Sequence, residues 1–404
     1  AGAFSDGKFN FTTQFGGWLN EYMPDSEVID LIEHVDRINQ KFGATDKFYS
    51  TFSPAADRIR ARAISLDLHL LDARCKHLGT ERCREILIAQ HDYLKARLDI
   101  LCNTRVERIE RCGAEGFRLE TVRMEAGAGG GRRAEFSCRF LIAAPGRSGA
   151  EWFSGQCRAM KLTQINNQVD IGVRVELPAI VFREITDAVY EAKLHYRTRQ
   201  YKDMVRTFCM NPSGYVVTEN TDGIITVNGH SYTDPARRSD NTNFALLVSN
   251  KFTSPFREPY LYGKRIASLS NMLGGGVLVQ RFGDLIDGRR TNVHRLEQSF
   301  VRPTLQATPG DLSLVLPKRH LDNVIEMIQT LDKLAPGTAN HDTLLYGVEV
   351  KFYSSRLALS SRLETEIRGM FAIGDGAGIT RGLSQAAASG VIAARSILED
   401  LQHG

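Results

Sequence analysis

The sequence predicts an α/β fold, and three stretches predict it. At the carboxyl end a short apolar strand, Met370–Ile373, runs into the glycine-rich turn Gly374-Asp375-Gly376-Ala377-Gly378. A helix over Leu383–Leu401 follows, with Leu383, Ala387, Val391, Ala394, Leu398 and Leu401 on one face. In the first 165 residues helical and extended patterns alternate. Between about residues 165 and 335 the pattern becomes strand-rich with polar turns. The chain has 404 residues, enough for two or three domains at roughly 150 residues each.

The elements are justified in chain order. Residues 1–17 are rich in Gly, Ser, Thr and Phe and read as loop with short extended pieces. Val28, Leu31, Ile32, Val35, Ile38 and Phe42 recur at helical spacing over 26–42, with Asp25 or Ser26 as cap and Gly43 past the end. A second helix opens at Ser53-Pro54, where the hydroxyl caps and proline suits the first turn. The spacing of Cys83, Ile86, Leu87, Leu94 and Leu98 predicts a helix over 80–98, capped by Thr80. A strand is expected over 98–106, then a hairpin pairing 117–124 with 136–144 across the tip Gly127–Gly131. Residues 213–229 read as a hairpin turned at Thr221-Asp222-Gly223, and 317–334 as an amphipathic helix with Leu321, Val324, Ile325, Ile328 and Leu331 in register. Residues 344–357 are expected to hold a strand. Gly274–Gly276 reads as a connection between helix and strand.

Composition excludes several classes. The chain is 42% hydrophobic and 24% charged, which excludes a disordered polymer. A net charge of +4, spread thinly with basic pairs at Arg132-Arg133, Arg237-Arg238 and Arg289-Arg290, gives no stripe for nucleic acid. Seven cysteines without a CxxC form neither a disulfide framework nor a zinc ribbon and suit a reducing cytoplasm. No run reaches the ~18 apolar residues of a membrane span, and no signal peptide opens the chain.

The closing strand, glycine turn and helix have the form of an anion or dinucleotide cradle. Glycines let a ligand approach the backbone, and a helix start offers free N–H groups and a favourable dipole. Asp375 at the strand end can accept hydrogen bonds from sugar hydroxyls, and Ala386-Ala387-Ala388-Ser389-Gly390 keeps the helix slim. The same pattern also serves an ordinary tight strand–helix turn.

Residues 367–397, IRGMFAIGDGAGITRGLSQAAASGVIAARSI, resemble the C-terminal flavin-binding motif of FAD-dependent oxidoreductases of the glutathione-reductase-like superfamily, and more narrowly the group of uncharacterised FAD-dependent dehydrogenases. FLIAAPGRSG at 140–149 resembles that group's second motif, usually Ala-Thr-Gly, with Pro145 in place of Thr. AGAFSDGKFNFT at the start resembles the loop after the first βαβ unit. LLDARCKHLGTERCREIL, VRTFCMNPSGYVV and LLYGVEVKFYSSR are similar to further family segments.

The resemblance implies an FAD/NAD(P)-binding Rossmann-like three-layer domain in two parts, 1–165 and 336–404. A β-rich α+β substrate or cap domain would be inserted at 166–335. It implies FAD as cofactor, held by Ser5, Asp6, Gly7, Lys8, Gly146, Gly374, Asp375, Gly376, Ala377, Gly378 and Ile379. It implies hydride transfer between flavin and a small organic substrate, with a nicotinamide or ferredoxin-like carrier or oxygen closing the cycle. The family's opening GxGxxG unit is not in this sequence and would precede Ala1. The chain is therefore expected to be N-terminally incomplete: a trimmed flavoenzyme, a non-catalytic remnant, or one subunit of a split enzyme whose other chain supplies that unit.

Three side chains are candidates for catalysis. Lys8 and Lys351 would place positive charge near a flavin, or sit in ordinary ion pairs. Arg381 would clamp a substrate carboxylate, or simply pack at the helix start. His77 and His320 read as proton donors or as capping and surface residues, and Cys209 as a thiol that is inert unless a partner lies near.

Overall fold

A computed structural model describes residues 7–113, 116–124, 131–165, 168–221, 223–232, 234–250, 252, 255, 258–351 and 356–403. The chain divides into two compact units. One comprises Ala1–Lys47, Lys76–Asn167 and Ser354–Gly404, the other Phe48–Cys75 and Gln168–Tyr353. The expected return to the first unit at residue 336 falls later, because the strand Leu344–Lys351 is an interior strand of the second unit's sheet.

The first unit is built on four helices, Asp25–Lys41, Thr80–Lys95, Ala150–Ala159 and Leu383–His403. The first of these buries Val28, Leu31, Ile32 and Val35, the stripe that helical spacing demands. Its cap position is Pro24, with no side-chain cap bond, so the expected cap at Asp25 or Ser26 lies inside the helix, where Asp25 meets the dipole instead. The second begins after Gly79, whose φ of 79° turns the chain, so Thr80 is the first helical residue and not the cap.

Two expectations fail here. The run 98–103 is not extended; Leu98, Ile100 and Leu101 are exposed, and the strand begins at Thr104. The strand Gly116–Arg123 pairs with Thr104–Cys112 on one side and with Arg132–Cys138 on the other, and that second pairing stops at Cys138. Leu141–Ala143 instead pairs in parallel with Met370–Ala372. That second strand is fully buried, so its backbone groups need a partner that water cannot supply.

The second unit holds an eight-stranded sheet. Its order is Thr308–Pro309, Leu278–Arg281, Leu344–Lys351, Val169–Pro178, Asn241–Asn250, Met204–Asn211, Leu194–Arg197 and Leu68–Leu70. All neighbours are antiparallel except the first pair. Along Val169–Pro178, the residues Val169, Ile171, Val173, Val175 and Leu177 join a core with the helices Pro54–Ile64, Ala179–Val189 and Lys318–Leu334. Burying each such side chain stabilises the fold by roughly 1.5–3 kcal/mol. The alternate residues Asp170, Arg174 and Glu176 therefore point to the other face, and each is fully buried there. The hairpin Tyr215–Thr221 with Ile224–His230 forms as expected; Asp222 at its tip is outside the described residues.

No helix among the described residues is long and apolar enough to cross a membrane.

Candidate functional site

The glycine turn of the first unit closes on itself. Met370–Ala372 ends at Gly374, whose φ of 72° reverses the chain into a single 3-10 turn over Asp375–Ala377. Ala377 N–H donates to Gly374 O and Gly378 N–H to Asp375 O, both at 3.2 Å. Those two amides, expected to face a ligand, are spent inside the turn. A Cβ on Gly376 would lie 2.5 Å from Gly146 O and from Pro145 Cγ. The glycine there is required by the neighbouring Pro145-Gly146 loop, not by a ligand. Gly376 and Ile379 are buried, and neither amide has a partner among the described residues.

Space opens on either side of that packed point. A Cβ on Gly374 or on Gly146 would meet nothing within 4 Å. The Asp375 carboxylate is hydrogen-bonded to residues beside each glycine motif. Its Oδ1 accepts from Thr380 Oγ1 at 2.7 Å, and its Oδ2 from Arg147 Nε at 3.1 Å.

The start of the helix Leu383–His403 is held by the loop 12–19. Gln385 Nε2 donates to Thr12 O and Phe15 O, and its Oε1 accepts from Leu19 N–H. Arg381 N–H donates to Gly16 O, and Trp18 N–H to Ile379 O. The Arg381 guanidinium lies over the Trp18 ring, 3.8 Å from its centroid. Ala386 N–H makes the first helical bond, to Gly382 O, so the amides of Leu383, Ser384 and Gln385 precede the ladder. Beside them the Ser384 hydroxyl is buried and has no hydrogen-bond partner among the described residues. A buried hydroxyl in that state costs about 1–3 kcal/mol. A group carrying a carbonyl or an anionic oxygen would satisfy it and meet the positive end of the dipole.

The other sequence-derived candidates are carried by further elements. Ser5 and Asp6 are outside the described residues. Gly7 packs against Cys83 and Leu78, and its carbonyl accepts from Leu78 N–H. Lys8 opens the strand Lys8–Phe11. Lys351 is in the second unit, ion-paired to Glu349 at 2.9 Å. Cys209 is half-buried, with no cysteine partner. His77 closes the strand Arg74–His77. His320 is neither a cap nor a surface residue: it is buried in the helix Lys318–Leu334, neither ring nitrogen has a partner among the described residues, and burial lowers its pKa to about 4. Cys157 is buried and its thiol pushed up to about 12, so it is no nucleophile. Sequence reading passed over Arg147, Thr380, Ser384 and Trp18. Arg147 and Thr380 flank the two glycine motifs, which was the available signal. Among the described residues no group of three or more His, Cys, Asp or Glu can hold a metal ion.

Comparison with known proteins adds the following. An uncharacterized protein of Clostridium beijerinckii is 29% identical over 345 residues, covering 80% of this chain. The alignment takes in 62% of that relative, so this chain spans under two thirds of its length. Among solved structures, a quinol-fumarate reductase with menaquinol molecules is similar at a TM-score of 0.38 and 12% identity, over 96% of this chain and 60% of that one. A substituted form of E. coli quinol fumarate reductase gives a TM-score of 0.36 at 12% identity, over 96% and 63%. Likeness at that depth carries nothing about chemistry. The sequence match is firmer: residues 168–352, nearly the whole of the second unit's main segment, match the family described as FAD-dependent protein, C-terminal domain-like.

Proposed function

We propose that this chain is part of an FAD-dependent oxidoreductase and that FAD lies along Gly374–Gln385 of the first unit. The observation that carries the reading is the unpartnered, buried Ser384 hydroxyl beside three amides that precede the helical ladder. The family match at 168–352 supports it, since that family is described as FAD-dependent. FAD supplies hydride transfer when bound. The chain's own residues bind and orient. Ser384 Oγ and the first-turn amides donate to a carbonyl or anionic oxygen of the flavin ring system, and the helix dipole favours negative charge there. Asp375, steadied by Arg147 and Thr380, accepts from hydroxyls of the ribityl chain. Open space at Gly374 and Gly146 lets the cofactor approach the backbone. On this reading the parallel pair Leu141–Ala143 and Met370–Ala372 belongs to a Rossmann-like domain. The β-rich unit binds the substrate, and a nicotinamide or ferredoxin-like carrier exchanges electrons in the cytoplasm.

A second reading has its own support. The amides of Ala377 and Gly378 are spent and Gly376 is filled by Pro145-Gly146, which favours a chain that holds no flavin unaided, whether remnant or one subunit of a split enzyme. Titrating the purified chain with FAD separates the two. Uptake near one equivalent, weakened in Ser384→Ala and Asp375→Ala while both variants still unfold cooperatively, supports the first. A chain that stays colourless sinks it, and colour appearing only with a second polypeptide supports the split enzyme.

A further inference from the structure

We propose that the charged face of the eight-stranded sheet, around Lys351 and Phe208, binds an organic carboxylate. Binding is argued from the sheet alone; that the carboxylate is a substrate rests on the oxidoreductase reading.

The register assembles the face. Arg206 lies opposite Leu247, Leu247 opposite Gly172, and Gly172 opposite Glu349. In the neighbouring row Asp170 lies opposite Lys351. A Cβ at Gly172 would run into the Leu246 carbonyl, so no side chain can fill the middle of the row. Glu349 is fully buried and held by Arg174, Nε to Oε2 at 2.8 Å and Nη2 to Oε1 at 2.9 Å. Lys351 Nζ reaches the same Oε1 at 2.9 Å. Arg174's remaining acceptors are neutral: Cys209 O, Asn243 Oδ1 and Asn228 Oδ1. Two cations thus share one carboxylate, and Lys351 has none of its own. Its side chain is only 9% exposed, and a surplus charge at that depth is costly to desolvate unless a counter-anion meets it.

The neighbouring cations each have a carboxylate, so they do not offset or add to the single surplus charge. Around the half-buried ring of Phe208 stand Lys193 Nζ at 4.4 Å, Arg206 Cζ at 5.0 Å and Lys351 Nζ at 5.7 Å from the centroid. Glu191 pairs with Lys193 and Asp170 with Arg206. A ring face attracts cations without neutralising them. His195, opposite Arg206, has its pKa lowered to about 4 by burial and by Arg206 and Lys193, so it stays neutral and donates or accepts without adding charge. A ligand with one carboxylate answers the surplus on Lys351. The Phe208 ring gives its carbon body an apolar surface, which an inorganic anion cannot use.

Calorimetric titration of the whole chain with benzoate at low ionic strength tests this. Benzoate is expected to saturate one site and to bind at least about tenfold more tightly than benzamide. Lys351→Gln should lose about tenfold while Lys351→Arg retains binding, with thermal unfolding recorded for each. Phe208→Leu, which keeps every charge, should weaken benzoate severalfold and leave sulfate unaffected. Equal binding by Lys351→Gln, equal binding of benzamide, or displacement by equimolar sulfate overturns the proposal. Each titration is run with and without FAD. Benzoate binding in a chain that takes up no flavin upholds the site and sinks the flavin reading. Flavin uptake without benzoate binding does the reverse.

Discussion

The guanidinium of Arg381 lies 3.8 Å over the ring of Trp18, and this stack joins the glycine turn to the loop that wraps the start of the last helix. A cation over an indole is worth about 1 kcal/mol when partly desolvated. A double-mutant cycle with Arg381→Met and Trp18→Leu, read by urea unfolding, should give a coupling of about that size. Arg381→Lys should lose most of it, because the planar guanidinium is what stacks. Independent effects of the two substitutions would show that the side chains are neighbours without being partners.

Two glycines two residues apart are fixed by different causes, and the collision at Gly376 should cost more than the backbone strain at Gly374. At Gly376 an alanine Cβ would collide with Gly146 O and Pro145 Cγ, both rigid backbone or ring atoms. Gly376→Ala should therefore destabilise by about 2–4 kcal/mol. At Gly374 the backbone, φ 72° and ψ −167°, lies in a region essentially restricted to glycine, so alanine costs about 1–3 kcal/mol there although its methyl meets nothing within 4 Å. Gly374→Ala should stay folded and lose flavin uptake if a cofactor fills that space. Denaturant midpoints and FAD titration of the two variants give the contrast, and equal stability losses would contradict it.

How much of this was legible beforehand follows from how local each signal is. The helix Lys318–Leu334 was readable because Leu321, Val324, Ile328 and Leu331 repeat within two turns, and all four are buried. His320 was misread because Lys318-Arg319 beside it looks solvated, although its position falls on the same buried stripe. The pairing of Leu141–Ala143 with Met370–Ala372 leaves no mark within either segment. The same holds for Arg174 and Glu349, 175 residues apart. The glycine turn was read correctly as a turn. Its composition could not say that Pro145-Gly146 fills one side of it.

Lys76 and Asp36 form a buried ion pair at 2.6 Å, with side-chain exposures of 1% and 11%. Gln40 Nε2 also donates to Asp36 Oδ2 at 2.7 Å. Removing one partner strands the other charge in a low-dielectric interior. Lys76→Met should destabilise the chain by about 3–5 kcal/mol. Lys76→Met with Asp36→Leu removes both charges and should cost less than Lys76→Met alone. Thermal unfolding of the three proteins decides it, and a double variant weaker than both singles would reject the argument.

Acid should weaken the second unit through His320. Its ring is buried, and its pKa is held to about 4 against an ordinary 6.5, chiefly by burial. The unfolded chain therefore binds a proton that the folded chain refuses between those values. The stability this group contributes is complete above about pH 6.5 and is lost as pH falls through about 4. The loss is on the order of 3 kcal/mol. With neither ring nitrogen bonded, His320→Leu deserts no partner, so at pH 8 it should be close to neutral. Urea unfolding at steps from pH 8 to pH 4 should show the parent losing stability below pH 6.5 and the variant losing less. Parallel curves for the two proteins would show that His320 is charged, or solvated, in the folded chain.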